Sequence, residues 1–342
     1  SGSKSVGPHS PNGIYVAALG SNERKLLVPG GSNAMYAAGH LLFLREQTLM
    51  AQPFDVQRLE LTGAAVPVAE DVAIGGAAGM LGGFAVSQNG VLAYQAGPSE
   101  IGGSGAGTPT RLTWVDRSGK EMGVFGDQAG YGDLELSPGG TRVSVSLFDL
   151  AQRTRDIWHF DIERGLRSRF TFDATDELAT VWSPDGSRVV FNAFRAGRFD
   201  LYQKASSGIG AEDLLLEYSF TIFPLTWSPD VRFVLFSSSA TPGTQADLWV
   251  LPLFGVRKPF PFLQTPVNEL RGRFSPDGRW IAYVSNESGR NDVYVAPFAG
   301  GGGKWRVSGS GGHFPRWGGG RKGGVEGRSG GYGGRRYIKK KK

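Results

Sequence analysis

Aspartate is the residue type whose positions in this chain most readily suggest chemistry, because seven aspartates recur at fixed places. Carboxylates that converge in space can ligate calcium or act as acid and base. Three of the seven stand in turns and four precede an aliphatic and an aromatic residue: Asp185, Asp230 and Asp277 in the first group, and Asp156, Asp200, Asp247 and Asp292 in the second. Each position recurs once per repeat, however, which is typical of a structural role. We therefore predict that the turn aspartates, with Gly186 and Gly278, shape their turns and that the other four hold neighbouring loops.

Other residue types capable of catalysis or metal binding are scarce or badly placed. The chain has no cysteine, which excludes disulfides, thiolate metal sites and a cysteine nucleophile. Its histidines are far apart in sequence: His9, His40, His159 and His313. A G-x-S-x-G string around Ser329 and a G-x-G-x-x-G string at 318–323 lack the strand and helix that these motifs need. We predict no catalytic residue, no metal site and no cofactor.

The aspartates belong to a repeat that fills most of the chain. Corresponding turns begin at Ser137, Ser183, Ser228 and Ser275, at spacings of 46, 45 and 47 residues. In each unit the turn is followed by an apolar or alternating run, then by Asp-aliphatic-aromatic, then by a further β-type run. Four short β-type runs in a unit of this length are typical of a propeller blade. No stretch has a convincing helical period.

We therefore predict an all-β fold, a β-propeller of four-stranded antiparallel blades. Seven units can be anchored: Gly39, Ser87, Ser137, Ser183, Ser228, Ser275 and Trp317. The count falls to six if the last unit does not form. Two β-like runs within 13–28 are expected to supply the outer strands of the last blade and so close the ring, which removes free sheet edges. The propeller would span 13–317, after a flexible segment or tag remnant at 1–12.

Several strings resemble a known family. The SPDG turns followed by Asp-[ILV]-[WY] resemble TolB-like propeller repeats, which are relatives of WD-repeat blades. Longer strings at 36–72, 247–290 and 302–317 resemble the C-terminal propeller of membrane-anchored serine/threonine protein kinases of acidobacterial type. After Trp317 the chain departs from that family and continues as a Gly/Arg/Lys-rich tail, predicted to be weakly structured or an irregular end of the last blade.

The resemblance concerns the non-catalytic part of such kinases. The chain contains no HRD-type catalytic loop, no Asp-Phe-Gly and no strand lysine of the VAIK type. In that family the propeller lies beyond a membrane helix, on the side opposite the kinase. The resemblance therefore implies an extracytoplasmic location, periplasmic or at the cell surface of a bacterium, with the membrane reached only through another part of the full-length protein.

The basic character of the chain is confined to its tail. The net charge is +6, but residues 321–342 contain nine Lys or Arg and one acid, so the remainder is slightly acidic. We expect no specific nucleic-acid binding by the body of the protein, whereas the tail could bind polyanions weakly. No apolar stretch reaches the length of a membrane span, and we expect a soluble chain or a soluble piece of a longer protein.

Recognition is expected where the repeats vary most, in the connections between second and third strands. These connections are 149–155, 195–199, 240–246 and 287–291. In a propeller they gather on one face, and loops on a rigid scaffold commonly carry binding residues. The candidate binding residues there are Arg195, Arg198, Arg290 and Asn291.

Taken together, the sequence predicts a non-catalytic propeller that binds a protein, a peptide or a small ligand, as the sensor or interaction domain of a larger receptor-type kinase. Two alternatives are an enzyme built on the same propeller, such as a lyase or glycoside hydrolase, and the accessory propeller of a serine peptidase. Converging carboxylates or a metal in the central channel would favour an enzyme. A channel without such a cluster and a polar loop face would favour the binding module.

Overall fold

The computed structural model describes residues 13–19, 24–30, 32–75, 81–87, 91–97, 110–115, 120–239, 243–299, 302–308, 311–318, 324–328 and 334–340. The segment 1–12, part of the variable connection at 240–246 and Ser329 of the G-x-S-x-G string lie outside these ranges. The described residues form strands, turns and bends, and no helix. None of them, accordingly, belongs to a helix that could cross a membrane.

The described strands form six blades of consecutive strands, a small extra sheet, and a closing sheet that joins the two ends of the chain. The N-terminal strands are β1 (Gly13–Leu19) and β2 (Arg24–Pro29). Blade 1 contains β3 (Ser32–Ala37), β4 (His40–Arg45), β5 (Thr48–Asp55), β6 (Glu60–Leu61) and β7 (Val66–Ala69). The extra sheet consists of β8 (Ile74–Gly75) and β9 (Leu81–Gly82). Blade 2 contains β10 (Phe84–Val86), β11 (Leu92–Ala96), β12 (Thr110–Val115) and β13 (Glu121–Ala129).

The repeat found in the sequence forms the next four blades. Blade 3 contains β14 (Tyr131–Leu136), β15 (Arg142–Asp149), β16 (Thr154–Asp161) and β17 (Leu166–Arg169). Blade 4 contains β18 (Glu177–Trp182), β19 (Arg188–Arg195), β20 (Arg198–Ala205) and β21 (Asp213–Leu216). Blade 5 contains β22 (Ile222–Trp227), β23 (Phe233–Ser238), β24 (Asp247–Pro252) and β25 (Phe260–Leu263). Blade 6 contains β26 (Glu269–Phe274), β27 (Trp280–Ser285), β28 (Asp292–Pro297) and β29 (Trp305–Arg306). The C-terminal strands are β30 (His313–Gly318), β31 (Gly324–Arg328) and β32 (Gly334–Lys340).

The closing sheet has the strand order β2-β1-β32-β31-β30. In it β1 runs parallel to β32, from Gly13 opposite Gly334 to Leu19 opposite Lys340. Because β30 contacts blade 6 and β3 contacts β1, β30 and β32, this sheet lies between the last blade and the first. Its parallel pair distinguishes it from the antiparallel blades. The predicted all-β propeller of antiparallel blades is confirmed, with six blades in the described chain, the lower of the two counts that the sequence allows; five of them are four-stranded and blade 1 has β7 as a fifth strand.

The first strand of each blade lies nearest the propeller axis. Successive first strands contact one another around the ring: β10 with β14, β14 with β18, β18 with β22, β22 with β26, and β26 with β30. Most of them carry a register shift against the second strand. Near this shift three residues other than glycine have a positive φ: Ala179 (48°), Arg271 (58°) and Phe314 (52°). Such bulges locally change the direction in which side chains point.

The repeated turns join first to second strands and follow from their residue chemistry. The serine hydroxyl donates to the aspartate two residues later: Ser183 to Asp185 at 2.5 Å, Ser228 to Asp230 at 2.5 Å and Ser275 to Asp277 at 2.6 Å. Each serine oxygen also accepts the backbone N–H five residues on, at 2.9–3.0 Å. Gly186 and Gly278 have φ of 71° and 69°, but blade 5 has Val231 at this position with a φ of 55°. A β-branched residue is strained in that conformation.

Apolar side chains fill the spaces between blades. Between blades 5 and 6 the buried set is Leu235, Leu248, Val250, Phe274, Ile281, Tyr283, Tyr294 and Ala296. An indole hydrogen bond recurs between neighbouring first strands, from Trp227 Nε1 to Val181 O at 3.2 Å and from Trp317 Nε1 to Arg273 O at 2.9 Å. This packing makes each blade a support for the next, so that the loops are carried on a rigid body.

Candidate functional site

The hairpins between second and third strands and the links between blades lie on one face of the propeller, here called the loop face. The strand registers place them there: Glu177 at the start of β18 is opposite Ala193 near the end of β19, and Ala193 is opposite Asp200 near the start of β20. The Ser-Pro-Asp turns, and with them Asp185, Asp230 and Asp277, therefore lie on the opposite face. The four candidate binding residues all belong to the loop face.

Arg195 is the centre of an ion-pair network between blades 3 and 4. Its Nη2 donates to Glu212 Oε2 at 2.6 Å and to Glu177 Oε1 at 3.1 Å, and its Nε lies 3.3 Å from Asp173 Oδ2. The guanidinium also lies 4.2 Å from the ring centroid of Tyr202. Burial disfavours its charge, but the bond and charge of Glu212 outweigh burial and raise the pKa of Arg195. The side chain is thus held in one position by three carboxylates.

Glu177 is completely buried within this network. Burial and the charge of Glu212 raise its pKa, the hydrogen bonds with Thr171 and Arg195 oppose the rise, and the net result is a pKa of about 7. The corresponding residue of blade 6, Glu269, is also buried, and burial raises its pKa to about 7 as well. Both glutamates therefore take up and release protons near neutral pH.

Arg198 lies opposite Arg195 in the same hairpin. Its Nε is 3.1 Å from Asp200 Oδ1, and its Nη2 donates to Glu217. Asp200 Oδ1 also accepts the backbone N–H of Tyr218 at 3.0 Å, so the aspartate joins the hairpin to the link that leads into blade 5.

Arg290 and Asn291 lie together in the hairpin β27–β28, two blades away from Arg195 and Arg198. Arg290 is about half exposed and its Nε lies 3.7 Å from Asp292 Oδ2. Asn291 accepts the backbone N–H of Gly312 at 2.6 Å through its own carbonyl. The structure therefore brings the four candidate residues together as two pairs on one face. Their role in binding stays a prediction.

The four third-strand aspartates are all buried at the loop face, and three of them pair with an arginine. Arg169 Nη2 lies 2.7 Å from Asp156, Arg198 pairs with Asp200 as above, and Arg306 Nη2 lies 2.7 Å from Asp292. Asp292 additionally accepts the Ser308 hydroxyl at 2.7 Å and the Gly311 N–H at 2.8 Å. Among the described residues Asp247 has no arginine within ion-pair distance, and its Oδ2 accepts the Thr244 hydroxyl at 2.8 Å.

Aromatic side chains form an exposed surface beside this network. Phe194 lies 5.1 Å from Phe199, which lies 6.0 Å from Phe223, measured between ring centroids. Phe194 is 40% exposed and Phe172, on the link between blades 3 and 4, is 63% exposed. Lys204 Nζ lies 5.4 Å from the centroid of the Phe172 ring.

The central channel contains charges of both signs. Asp133 and Glu135 come from β14, and burial raises the pKa of both carboxyls. Arg271 and Arg273 come from β26 and Arg316 comes from β30. Asp133 Oδ2 accepts the backbone N–H of Ala179, in the neighbouring first strand, at 3.3 Å. In the described part of the chain no group of three or more His, Asp or Glu residues is placed to hold a metal ion.

Reasoning from the sequence did not single out the buried glutamates or the channel charges. A signal was present for the glutamates, because Glu177 and Glu269 both stand six residues before the turn serine of their units. The channel residues stand four and two residues before the same serine in blades 3 and 6, as Asp133 and Glu135 and as Arg271 and Arg273. Charged residues that alternate within an otherwise buried strand would have indicated a solvent-accessible channel.

Comparison with known proteins gives similar solved structures. No family model matches the chain, and no curated protein matches it. A putative TolB from Agrobacterium tumefaciens is 17% identical, with 86% of this chain and 88% of that chain covered and a TM-score of 0.53. An oligogalacturonate lyase from Vibrio parahaemolyticus is 12% identical, with 96% and 97% covered and a TM-score of 0.67. A prolyl endopeptidase is 13% identical, with 88% of this chain and 48% of that chain covered and a TM-score of 0.62.

At these identities the similarity concerns the fold, which the relatives combine with different functions. The predicted resemblance to TolB-like propellers is confirmed at that level, whereas the resemblance to kinase-associated propellers stays a prediction. The chain has the β-propeller fold and is similar in structure to TolB.

Proposed function

We propose that this chain is a recognition propeller whose loop face binds a protein or peptide, without catalysing a reaction. The observation that carries the proposal is the combination of exposed Phe172 and Phe194 with arginines fixed by ion pairs on the same face of the propeller. Aromatic residues and arginine dominate the binding energy of protein interfaces. Because Arg195 is already held in place by Glu177 and Glu212, little side-chain entropy would be lost when a partner docks next to it.

We further propose that the propeller serves as the extracytoplasmic sensor or interaction domain of a larger receptor-type serine/threonine kinase. The strings at 36–72, 247–290 and 302–317 support it by their resemblance to such proteins. It predicts that the full gene encodes a kinase domain and a membrane helix on the N-terminal side of this chain. A gene that encodes no kinase domain would overturn this finer proposal and leave loop-face recognition standing.

Loop-face recognition is tested with variants on the two faces of the propeller. Phe172→Ser and Phe194→Ser alter the loop face, and Ile209→Ser is the matched control because Ile209 is 79% exposed between third and fourth strands on the opposite face. The immobilised proteins are compared for capture from a bacterial extracytoplasmic fraction. We expect one partner to be retained by the wild type and by Ile209→Ser and lost with both phenylalanine variants. Equal retention by all four proteins would overturn the proposal.

An enzyme remains the second candidate, favoured by the charged channel and by the similarity of the fold to an oligogalacturonate lyase. Incubation with oligogalacturonate and manganese, followed by the ultraviolet absorbance of an unsaturated product, tests it directly. Turnover that is lost in Arg273→Met would replace the non-catalytic proposal.

A further inference from the structure

The connection between the third and fourth strands of blade 5 lies on the face opposite the loop face. Strand β24 ends at Pro252, which is opposite Phe233, and Phe233 begins β23 directly after the Ser-Pro-Asp turn. Leu253 N donates to the carbonyl of Arg232, in that turn, at 2.8 Å. The connection, residues 253–259, is here called the blade 5 tip, and the face on which it lies is called the turn face.

The blade 5 tip exposes two apolar side chains. Val256 is 87% exposed, more than any other large apolar residue in the described part of the chain, and Phe254 is 46% exposed. The backbone turns tightly between them and the end of the tip, since Lys258 N donates to Val256 O at 2.6 Å. Contact with water is unfavourable for these side chains, and an apolar environment would remove that cost.

Phe254 is the outer member of a row of aromatic rings that leads into the core. Its ring centroid lies 5.5 Å from that of Phe233, which lies 5.1 Å from that of Phe298. Phe298 in turn lies 4.9 Å from the buried Phe274. The tip is therefore supported by the packing between blades 5 and 6, and it presents its apolar side chains without a large ordering cost.

Positive charges surround the apolar side chains of the tip. The Arg232 guanidinium lies 4.3 Å from the ring centroid of Phe254. Arg257 and Lys258 are exposed in the tip itself. Asp230 is the one acid in the turn 228–232 and the tip, so three cations against one acid leave a net charge of +2 there. The tip thus joins an exposed apolar end to a positively charged base.

The corresponding connection of blade 4 has an exposed apolar residue without the cations. Ile209 is 79% exposed on the same face. Its connection, 206–212, contains no Lys or Arg and ends at Glu212. The repeat therefore does not by itself place positive charge beside an apolar tip, and the combination distinguishes blade 5 from blade 4.

The size and charge of the tip fit a lipid surface better than a protein. A stable protein interface buries about 800 Å² on each partner, which two apolar side chains on one short connection cannot supply. A bilayer accepts a small apolar insertion about 5–10 Å deep, at the boundary between headgroups and acyl chains. Anionic headgroups at that depth attract Lys and Arg side chains close to the surface.

We propose that the blade 5 tip docks on a bilayer of anionic phospholipid, with Val256 and Phe254 inserted and with Arg257 and Lys258 among the headgroup phosphates. The contact would belong to this chain, whereas the sequence predicts that the membrane is reached only through another part of the full-length protein. It uses the turn face, so it does not depend on the function proposed for the loop face.

Co-sedimentation of the intact chain with lipid vesicles tests the proposal. The vesicles are made of phosphatidylcholine alone or of phosphatidylcholine and phosphatidylglycerol in equal parts. We expect binding to the mixed vesicles, a steep loss of that binding with added salt because salt screens exposed charges, and much weaker binding to phosphatidylcholine alone. No binding to the mixed vesicles, or equal binding to both kinds, would overturn the proposal.

Variants of the tip separate its contribution from that of the basic tail, which is unchanged in all of them. Val256→Asp should weaken binding to the mixed vesicles by about tenfold or more, since a charge replaces the inserted side chain. The double variant Arg257→Gln/Lys258→Gln should weaken it by about thirtyfold, because two cations are lost from an anionic surface. Leu150→Asp is the matched control, because Leu150 is 83% exposed in a loop-face hairpin, and it should leave binding unchanged.

Two outcomes with these variants would contradict the proposal. Equal binding by the wild type and by Val256→Asp would assign the vesicle binding to the tail. Equal loss in Leu150→Asp and Val256→Asp would show a response to added negative charge anywhere on the surface. All of the altered side chains are exposed, so the variants should fold, and their thermal unfolding verifies this.

Discussion

The interface between blades 3 and 4 and the interface between blades 5 and 6 bury the same residue in different ways. Glu177 and Glu269 each begin the first strand of a blade, and burial raises the pKa of both to about 7. Glu177 is paired with Arg195, which also holds Glu212 and Asp173. Glu269 accepts the Thr265 hydroxyl through Oε1 and has no cation within ion-pair distance among the described residues, whereas the Oε2 of both glutamates has no hydrogen-bond partner there. The repeat thus places a buried carboxyl at the same position in both blades, but among the described residues a cation pairs with it in only one of them.

The difference between the two interfaces shows that the repeat fixes the backbone of each blade but not the residues that compensate a buried charge. Turns and strand registers repeat because each is set by residues close in sequence. A cation contacts Glu177 in one interface and none of the described residues supplies a cation to Glu269 in the other, although burial raises the pKa of both carboxyls to about 7. Four substitutions test this difference between the interfaces, and we expect the first to change stability most and the last to change it least.

Arg195→Met should have the largest effect, a loss of about 3–5 kcal/mol in the free energy of unfolding, because it leaves the carboxylates of the 3/4 interface without their cation. Urea unfolding measures the change. Arg279→Met removes an exposed pair with Asp277 and should cost about 0.5 kcal/mol. Similar losses in both variants would show that the Arg195 network contributes no more than a surface ion pair.

Glu269→Gln should increase stability at alkaline pH. The folded chain holds a proton on Glu269 up to a pKa of about 7, whereas the ordinary value is 4.5. The resulting stabilisation is complete below the ordinary pKa and is lost as the pH rises through about 7. We expect the free energy of unfolding of the variant to exceed that of the wild type by about 2 kcal/mol near pH 8 and to equal it near pH 5.

The matched variant is Glu177→Gln. Its free energy of unfolding near pH 8 should increase less than that of Glu269→Gln, because a neutral glutamine cannot form the ion pair with Arg195. Equal gains in the two variants would remove the contrast between the interfaces. Unfolding curves at several pH values provide the measurement for both.

Thr265→Val should cost about 1–2 kcal/mol, since it removes the hydroxyl that donates to Glu269. This hydrogen bond favours the charged carboxylate and opposes the rise in its pKa. The cost should therefore be larger near pH 8 than near pH 5. A cost independent of pH would mean that the hydroxyl acts through packing alone.

Val231→Gly should have the smallest effect, a gain of about 1 kcal/mol, because Val231 occupies a left-handed conformation at φ 55°. Thermal unfolding would detect it. The reverse change in blade 4, Gly186→Val, should be destabilising. A loss in Val231→Gly would show that the partial burial of this side chain outweighs its strain.

Much of the fold could be predicted from the sequence, because propeller blades are built from local signals. The turns that begin at Ser183, Ser228 and Ser275 set the start of each second strand, and alternating or apolar runs set the strands themselves. The sequence predicts that the strands within 13–28 close the ring, but not that 13–19 pairs in parallel with 334–340, because the Gly, Arg and Lys residues of that segment carry no strand pattern.

The candidate site was predictable only in its location. The sequence indicates that Arg195, Arg198, Arg290 and Asn291 lie in the variable hairpins, and the structure places them on one face. It does not indicate that Glu177 and Glu212 meet Arg195, because the three residues are up to 35 positions apart and come together only when the strands of blade 4 pair. Nor does it indicate the aromatic surface at Phe194, since the alternation of that strand predicts burial equally well.

The sequence by itself determined the strands, the turns and the repeat of this protein, since these depend on residues within a few positions of one another. Which charged side chains come close to one another depends on the tertiary structure. Glu135 and Arg273 are 138 positions apart, yet the charge of Arg273 opposes the rise in the pKa of Glu135 that burial causes, because the ring of blades closes around an axis. Electrostatic interaction depends on distance in space and on burial, and only the closed propeller sets both.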